Sequence, residues 1–152
     1  MKSTADYEEL LGLFNKHKVK YCIVGAFALA FHARPRYTKD MDILIEAGAK
    51  NGKKIVGALK EFGFESLKLS PRDFAEEKQI IQLGYEPVRI DLLTSIEGCS
   101  FKQIWRNKVA GTYGKTKTFF IGLEDLIKNK QVSGRIQDQA DLKILKIKKK
   151  KA

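Results

Sequence analysis

Two aspartates stand at alternate positions where an aliphatic strand is predicted to begin, in the stretch Asp-Met-Asp-Ile-Leu-Ile-Glu at residues 40 to 46. Side chains at positions i and i+2 of a strand point to the same face of its sheet. We therefore expect Asp40 and Asp42 on one face, with Met41, Ile43 and Ile45 on the other. Two interpretations remain open: the pair binds a metal ion, or it faces solvent on an edge strand.

The segment upstream of the aspartates favours the first interpretation. Residues 20 to 25 form a short apolar run that predicts a strand ending at Gly25, and residues 26 to 33 predict a short helix. Backbone N–H groups at the start of a helix, together with its dipole, favour a phosphate. Glycine at this turn also permits close approach of a ligand to the backbone.

A third carboxylate has the same strand pattern. In residues 88 to 93, Val-Arg-Ile-Asp-Leu-Leu, the acidic Asp91 points to one face of the strand, and the apolar Val88, Ile90 and Leu92 point to the other. If the two strands are neighbours, three carboxylates converge on one surface. Their mutual repulsion raises their pKa values unless cations neutralise them. Mg²⁺ takes oxygen ligands of this kind together with substrate phosphates.

The rest of the chain predicts an α/β protein of the α+β type, with a mixed, partly antiparallel sheet and helices packed on it. Strand pairs separated by short turns predict two hairpins, around Gly84 and around Gly114. Helical patterns with apolar residues on one face occupy the remaining segments. The predicted helices cover residues 3–16, 50–62, 101–105, 123–131 and 137–145.

We expect one domain over residues 1–145, with its last two helices within 122–145. The net charge is +11, and six lysines lie from Lys143 onward. Residues 146–152 are predicted to be a disordered basic tail, because blocks of like charge repel one another. The alternative is a basic arm that binds nucleic-acid phosphates. Apolar runs too short for a membrane helix, and two cysteines without a disulfide or zinc pattern, predict a cytoplasmic protein without a membrane partner.

These motifs resemble the nucleotidyltransferase superfamily typified by DNA polymerase β. The likeness rests on Ile-Val-Gly-Ala at 23–26, on Arg-Tyr-Thr-Lys-Asp-Met-Asp at 36–42, and on the later strand at 88–93. It is strongest to small bacterial and archaeal members, the abortive-infection type toxins and the minimal nucleotidyltransferases, whose C-terminal pattern is similar to residues 123–141. The resemblance covers about residues 20 to 145.

The resemblance implies a role for each matching residue. Asp40 and Asp42 would bind two Mg²⁺ or Mn²⁺ ions, and Asp91 would bind the catalytic ion and help to deprotonate an acceptor hydroxyl. Gly25 would hold the triphosphate of an NTP. The chain departs from the pattern at Ala26, where the family has Gly or Ser. Alanine offers a phosphate its N–H group but no hydroxyl.

Four further residues are candidates for nucleotide contacts: Arg36, Thr38, Lys39 and Lys130. For Arg36 and Lys39 the alternative is a solvated basic loop, and for Thr38 it is a simple loop or strand-start residue. Lys130 and its neighbour Arg135 are alternatively surface charges, with Asp138 pairing with them or capping the last helix. Tyr113 and Phe119 flank a basic hairpin, which leaves a nucleic-acid contact there open.

The implied activity is transfer of a nucleoside monophosphate from an NTP, such as ATP, to an acceptor hydroxyl with release of pyrophosphate. The acceptor stays open between an RNA 3′ end, a protein and a small molecule. The alternative is a catalytically weak or inactive binding module of the same fold, antitoxin-like or nucleic-acid-binding. A partner protein of a toxin–antitoxin pair is a further expectation.

Overall fold

The computed structural model describes residues 4–33, 40–64, 68–85 and 88–151. Within them the helices are α1 (Ala5–Lys16), α2 (Gly25–His32), α3 (Ala49–Phe62), α4 (Phe101–Asn107), α5 (Leu123–Ser133) and α6 (Ile136–Lys151), with a short 3₁₀ helix at Pro71–Phe74. The strands are β1 (Tyr21–Val24), β2 (Asp40–Ile45), β3 (Ile80–Tyr85), β4 (Val88–Leu93), β5 (Val109–Tyr113) and β6 (Thr116–Phe120).

The six strands form one mixed sheet in the order β3-β4-β2-β1-β6-β5. The pairs β3–β4, β1–β2 and β5–β6 are antiparallel, whereas β2–β4 and β1–β6 are parallel. The predicted fold class is therefore confirmed, and so are both hairpins. β2 lies between β4 and β1, so the interpretation of Asp40 and Asp42 as residues of an edge strand is wrong.

The apolar faces of the central strands form the core. Met41, Ile43 and Ile45 of β2 are fully buried, as their alternation with the aspartates predicts. Tyr21 of β1 packs against Phe14 of α1, with ring centroids 5.6 Å apart. α1 and α3 contact each other, while α2 contacts β1 and β2 and meets α5 and α6.

A buried asparagine fastens α3 to the ends of the two central strands. Asn51 accepts a hydrogen bond from the N–H of Lys20 at 2.9 Å and donates to the carbonyls of Lys20 at 3.1 Å and Glu46 at 3.0 Å. These groups lie where β1 begins and just beyond β2, so their backbone polar atoms are satisfied without a further strand. α3 ends at Gly63, whose φ of 108° gives the predicted C-cap.

The C-terminal segment differs from the prediction. α6 continues through Lys151 instead of ending at Leu145, so residues 146–151 are helical and not disordered. Lysine is a good helix former, and its charge near a helix C-terminus interacts favourably with the helix dipole. Leu145 is buried and Lys149 pairs with Glu124 of α5 at 2.8 Å, so tertiary contacts also support the last turns.

None of the helices in the described residues is both long enough and apolar enough to cross a membrane.

Candidate active site

The pairing of β2 with β4 brings the three predicted carboxylates to one face of the sheet. The two strands run parallel, with Asp42 opposite Asp91 and Asp40 opposite Arg89. Residues in register on adjacent strands point to the same side, and neighbouring strands lie about 4.8 Å apart. The Asp91 side chain is 13% exposed and that of Asp40 35% exposed, so this face is only partly open to water.

Asp42 has a raised pKa, with burial as the main cause. Burial of its carboxyl group and the nearby carboxylates of Asp91 and Asp40 raise the pKa of Asp42 to about 6, while the positive charges of Lys130 and Arg135 oppose the rise. Burial penalises the charged form and like charges add to that penalty. A cation beside Asp42 would therefore stabilise its charged form.

The glycine turn lies directly against Asp42. Gly25 directly follows β1 and begins α2 with a φ of 67°, in the left-handed region that favours glycine. A Cβ atom at this position would stand 2.5 Å from Oδ2 of Asp42. Both the turn and the approach of the carboxylate thus require glycine. Gly25 and Ala26 are partly exposed, whereas Phe27 to Leu29 are buried, so only the first turn of α2 is accessible beside Asp42.

Arg89 was missed in the sequence analysis and lies among the carboxylates. It donates from Nε to Oδ1 of Asp91 at 3.2 Å and from Nη2 to Oδ2 at 3.1 Å, and its Nη1 lies 3.9 Å from Oδ2 of Asp40. Arg89 and Asp91 are two residues apart on β4 and so share a face. The alternation that predicts Asp91 on the carboxylate face predicts Arg89 on the same face.

The carboxylates have the chemistry of a divalent-cation site, but not the arrangement of one in this conformation. Over the described ranges, no group of three or more His, Cys, Asp or Glu side chains is arranged to hold a metal ion. The Arg89 guanidinium instead neutralises Asp91. Hard oxygen donors that repel one another beside an accessible helix start suit Mg²⁺ or Mn²⁺. Binding through all three carboxylates would require Asp91 to exchange Arg89 for the ion.

Lys130, the predicted nucleotide contact on α5, is buried rather than at the surface. Its Nζ lies 2.9 Å from Oδ1 of Asp138 and 3.1 Å from Oδ2 of Asp141, and its side chain is 5% exposed. Arg135 pairs with Oδ2 of Asp138 at 2.9 Å, and the Ser133 hydroxyl donates to the same carboxylate. The interpretation of Lys130 as a surface charge is therefore wrong, and Asp138 does pair with Lys130 and Arg135.

The cations at this helix junction act on Asp42 through space, because both Lys130 and Arg135 oppose the rise in its pKa. Whether Lys130 also touches a nucleotide stays a prediction. The other predicted contacts, Arg36, Thr38 and Lys39, lie outside the described residues, as does the predicted helix start at Ser3.

Two solved structures are similar to this chain. A lincosamide antibiotic adenylyltransferase, LnuA, in its lincomycin-bound form aligns with a TM-score of 0.56 and 18% identity, over 96% of this chain and 98% of that one. An antigenic nucleotidyltransferase-like protein from Paracoccidioides brasiliensis aligns with a TM-score of 0.53 and 12% identity, over 97% of this chain and 77% of that one. No protein-family model and no curated protein matches the sequence.

Likeness at this level of identity shows the fold. The chain has a nucleotidyltransferase fold, as the resemblance of its motifs predicts.

The raised pKa of Asp42 yields a prediction about stability. Replacing Asp42 with Asn preserves size and removes a charge that is unfavourable in the folded state. We expect D42N to raise the free energy of unfolding at pH 7.5 in EDTA by about 1–3 kcal/mol, because each unit of pKa shift corresponds to about 1.4 kcal/mol. Urea denaturation measures this. Glu46→Gln, at the half-exposed position directly after β2, is the matched control and should change stability by less than about 0.5 kcal/mol. A D42N variant less stable than wild type would contradict the described electrostatics.

The junction of α5 and α6 yields a prediction of the opposite sign. Burial of Asp138 acts to raise its pKa, but hydrogen bonds from Arg135, Ser133 and Lys130 outweigh it and hold the pKa well below the usual range. The ionised group therefore stabilises the fold above about pH 4, and this stability is lost as the pH falls.

We expect D138N to reduce the free energy of unfolding at pH 7 by about 3 kcal/mol, since it leaves Lys130 buried with one fewer carboxylate. The deficit should shrink by about 1 kcal/mol between pH 7 and pH 3. Asp6→Asn on the exposed face of α1 is the control. A deficit that stays constant over this pH range would contradict the low pKa of Asp138 in the folded protein.

Proposed function

We propose that the chain is a metal-dependent nucleotidyltransferase, which moves a nucleoside monophosphate from an NTP to an acceptor hydroxyl and releases pyrophosphate. The observation that carries the proposal is the register of β2 and β4, which sets Asp42 opposite Asp91 on a face that abuts the Gly25 turn. Three carboxylates and a helix start in one place suit a cation-bound triphosphate.

The Gly25 turn would bind the triphosphate. At the start of α2 the backbone N–H groups have no partner within the helix, and the positive end of the helix dipole lies there. Because position 25 has no Cβ atom, a phosphate can approach the backbone closely. Ala26 adds an N–H group without a hydroxyl. Lys130 and Arg135, although paired with Asp138 and Asp141, lower the pKa of Asp42 and so favour its ionised form.

Asp40, Asp42 and Asp91 would hold the divalent ions, which when bound neutralise the phosphates and polarise the α-phosphorus. In the transfer, the acceptor oxygen forms a bond to the α-phosphorus, and the bond between that phosphorus and the β-phosphate oxygen breaks. The proton of the hydroxyl passes to Asp91, and pyrophosphate leaves with the bonding electron pair. Positioning and charge neutralisation would provide most of the rate enhancement.

The acceptor remains open between RNA, a protein and a small molecule. The antibiotic adenylyltransferase that resembles this chain aligns over nearly its whole length, which makes a hydroxyl-bearing small molecule a suitable first acceptor to test. A toxin–antitoxin partner stays a prediction.

One observation favours a second candidate function, a nucleotide-binding module with little turnover. Arg89 occupies both carboxylate oxygens of Asp91, the residue assigned to proton transfer. If this ion pair persists when nucleotide binds, Asp91 cannot accept the proton, and the fold would bind NTP without transfer.

Radiolabelled NTPs separate the two functions. We expect label transfer from an α-labelled NTP, in Mg²⁺ or Mn²⁺, to at least one of three acceptor pools: cellular RNA, cellular protein, or hydroxyl-bearing antibiotics. D42N and Asp91→Asn should each reduce the rate by at least about 100-fold, as is typical when electrostatic stabilisation of a transition state is removed. Glu46→Gln, directly after the strand that carries Asp42, should retain activity. NTP binding to wild type with no label transfer to any pool would establish the binding module instead.

A further inference from the structure

A cavity lies at the opposite end of β1 from the carboxylates. It has a volume of about 810 Å³ and is lined by the segment after α1, by α3, by α4 and by the β5–β6 hairpin. Lys20 precedes β1 at the cavity, and Gly25 follows β1 at the carboxylate face. Five residues of extended chain separate the two places by roughly 15 Å. The proposed transfer chemistry does not use this cavity.

The cavity wall is mostly apolar, and four of the residues that line it are lysines. Lys18, Lys20, Lys54 and Lys117 line it, and its lining residues include no Asp or Glu. Among these lysines and within the described residues, only Lys20 has an ion pair, with Glu46 at 3.9 Å between half-exposed groups. Surface lysines normally lie near acids that balance them. A cavity wall with four lysines and no carboxylate is therefore complementary to an anion.

Aromatic rings form another part of the wall. Trp105 of α4 and Phe119 of β6 meet edge to face, with centroids 5.6 Å apart, and both line the cavity. The ammonium group of Lys108 lies 3.9 Å from the Trp105 centroid and 5.2 Å from that of Phe119. Lys108 does not itself line the cavity, and its ammonium group covers one face of Trp105, so the aromatic part of the wall consists of the rest of that ring and Phe119. Tyr113, the other aromatic residue of the hairpin, is buried in the core against Tyr7 and Phe27 and does not contribute.

Lys18 lies in the turn that ends α1, between the cap residue His17 and Val19, whose N–H donates to the carbonyl of Phe14. Its φ of 59° is in the left-handed region, which is common where a helix ends. Asparagine adopts this conformation more readily than lysine, so Lys18→Asn removes the charge without adding strain to the turn.

We propose that this cavity binds a single strand of nucleic acid, with a base against the Trp105–Phe119 wall and phosphates against the lysines. Basic grooves with aromatic side chains bind unpaired bases by stacking, with little dependence on sequence. A duplex does not expose its base faces, so it would meet the lysines alone. The chain's net charge of +11 favours a polyanion over a single small anion. The proposal does not depend on nucleotidyl transfer, because strand binding requires neither NTP nor metal.

The chain contains one tryptophan, so intrinsic tryptophan fluorescence reports on this cavity alone. The experiment titrates a 12-nucleotide poly(U) or poly(dT) oligomer into the full-length protein in EDTA. It follows both tryptophan emission and the anisotropy of a fluorescein label on the oligomer. We expect a Kd on the order of 10⁻⁵ M at 0.1 M salt, with saturable quenching at the same midpoint. RNA and DNA should bind alike, since neither stacking nor phosphate contact reads the 2′-hydroxyl.

Lysine variants locate the binding. Lys54→Gln with Lys117→Gln should weaken binding about 10-fold and reduce the logarithmic salt slope by about 1.4, because each phosphate that a lysine neutralises contributes about 0.7. The control is Lys53→Gln with Lys60→Gln. Both residues lie on α3, as Lys54 does, but outside the cavity lining. This variant makes the same change in charge and should alter Kd less than about 2-fold. Lys18→Asn should weaken binding while the melting temperature stays equal or rises, which separates weaker strand binding from impaired folding.

Four outcomes would overturn the proposal. The first is oligomer binding without tryptophan quenching. The second is an equal loss of affinity in the cavity variant and the matched control. The third is a loss confined to a variant with Gln at Lys148, Lys150 and Lys151, which would assign binding to the end of α6. The fourth is equal affinity for a duplex, or for AMP alone, which would replace the strand as the occupant.

Discussion

The parallel pairing of β2 with β4 is the constraint on which the rest of the site depends. It sets Asp42 beside Asp91 on a partly buried face, with Asp40 two residues earlier on the same strand. Carboxylates so placed destabilise the fold unless positive charge is near them. The surrounding structure supplies that charge from two directions: Arg89 within the face itself, and Lys130 with Arg135 from the junction of α5 and α6. The Gly25 turn lies directly against Asp42, because glycine has no Cβ atom to keep the carboxylate away from the backbone.

The strand alternation made the carboxylate face predictable. Asp40, Asp42 and Asp91 follow from a period of two, and Gly25 follows from a strand that ends before a helix. Arg89 was within reach of the same rule, because it lies two residues before Asp91 on the same strand, but a search for acids alone passes over it. The burial of Lys130 was beyond the sequence, since it depends on how α6 packs onto α5. The sequence also did not predict that α6 continues to Lys151. A run of lysines predicts mutual repulsion and disorder, and the ion pair of Lys149 with Glu124 is visible only in the folded structure.

The two ends of β1 have different surfaces. At its C-terminal end an acidic face meets the start of α2, while at its N-terminal end a cavity is lined by lysines and aromatic rings. The overall positive charge therefore gives no indication of where the acidic site lies, and composition alone would assign the whole protein to a polyanionic partner. The fold, and not the composition, places the carboxylates and the lysine-lined cavity at opposite ends of β1.

A structure of the chain soaked with Mn²⁺ and a non-hydrolysable NTP analogue would test metal and nucleotide binding together, because Mn²⁺ can be located by its anomalous scattering. We expect Mn²⁺ at Asp40, Asp42 and Asp91, the triphosphate against the Gly25 turn, and Arg89 withdrawn from Asp91. Mn²⁺ and nucleotide bound elsewhere, or neither bound while Arg89 still pairs with Asp91, would contradict this expectation.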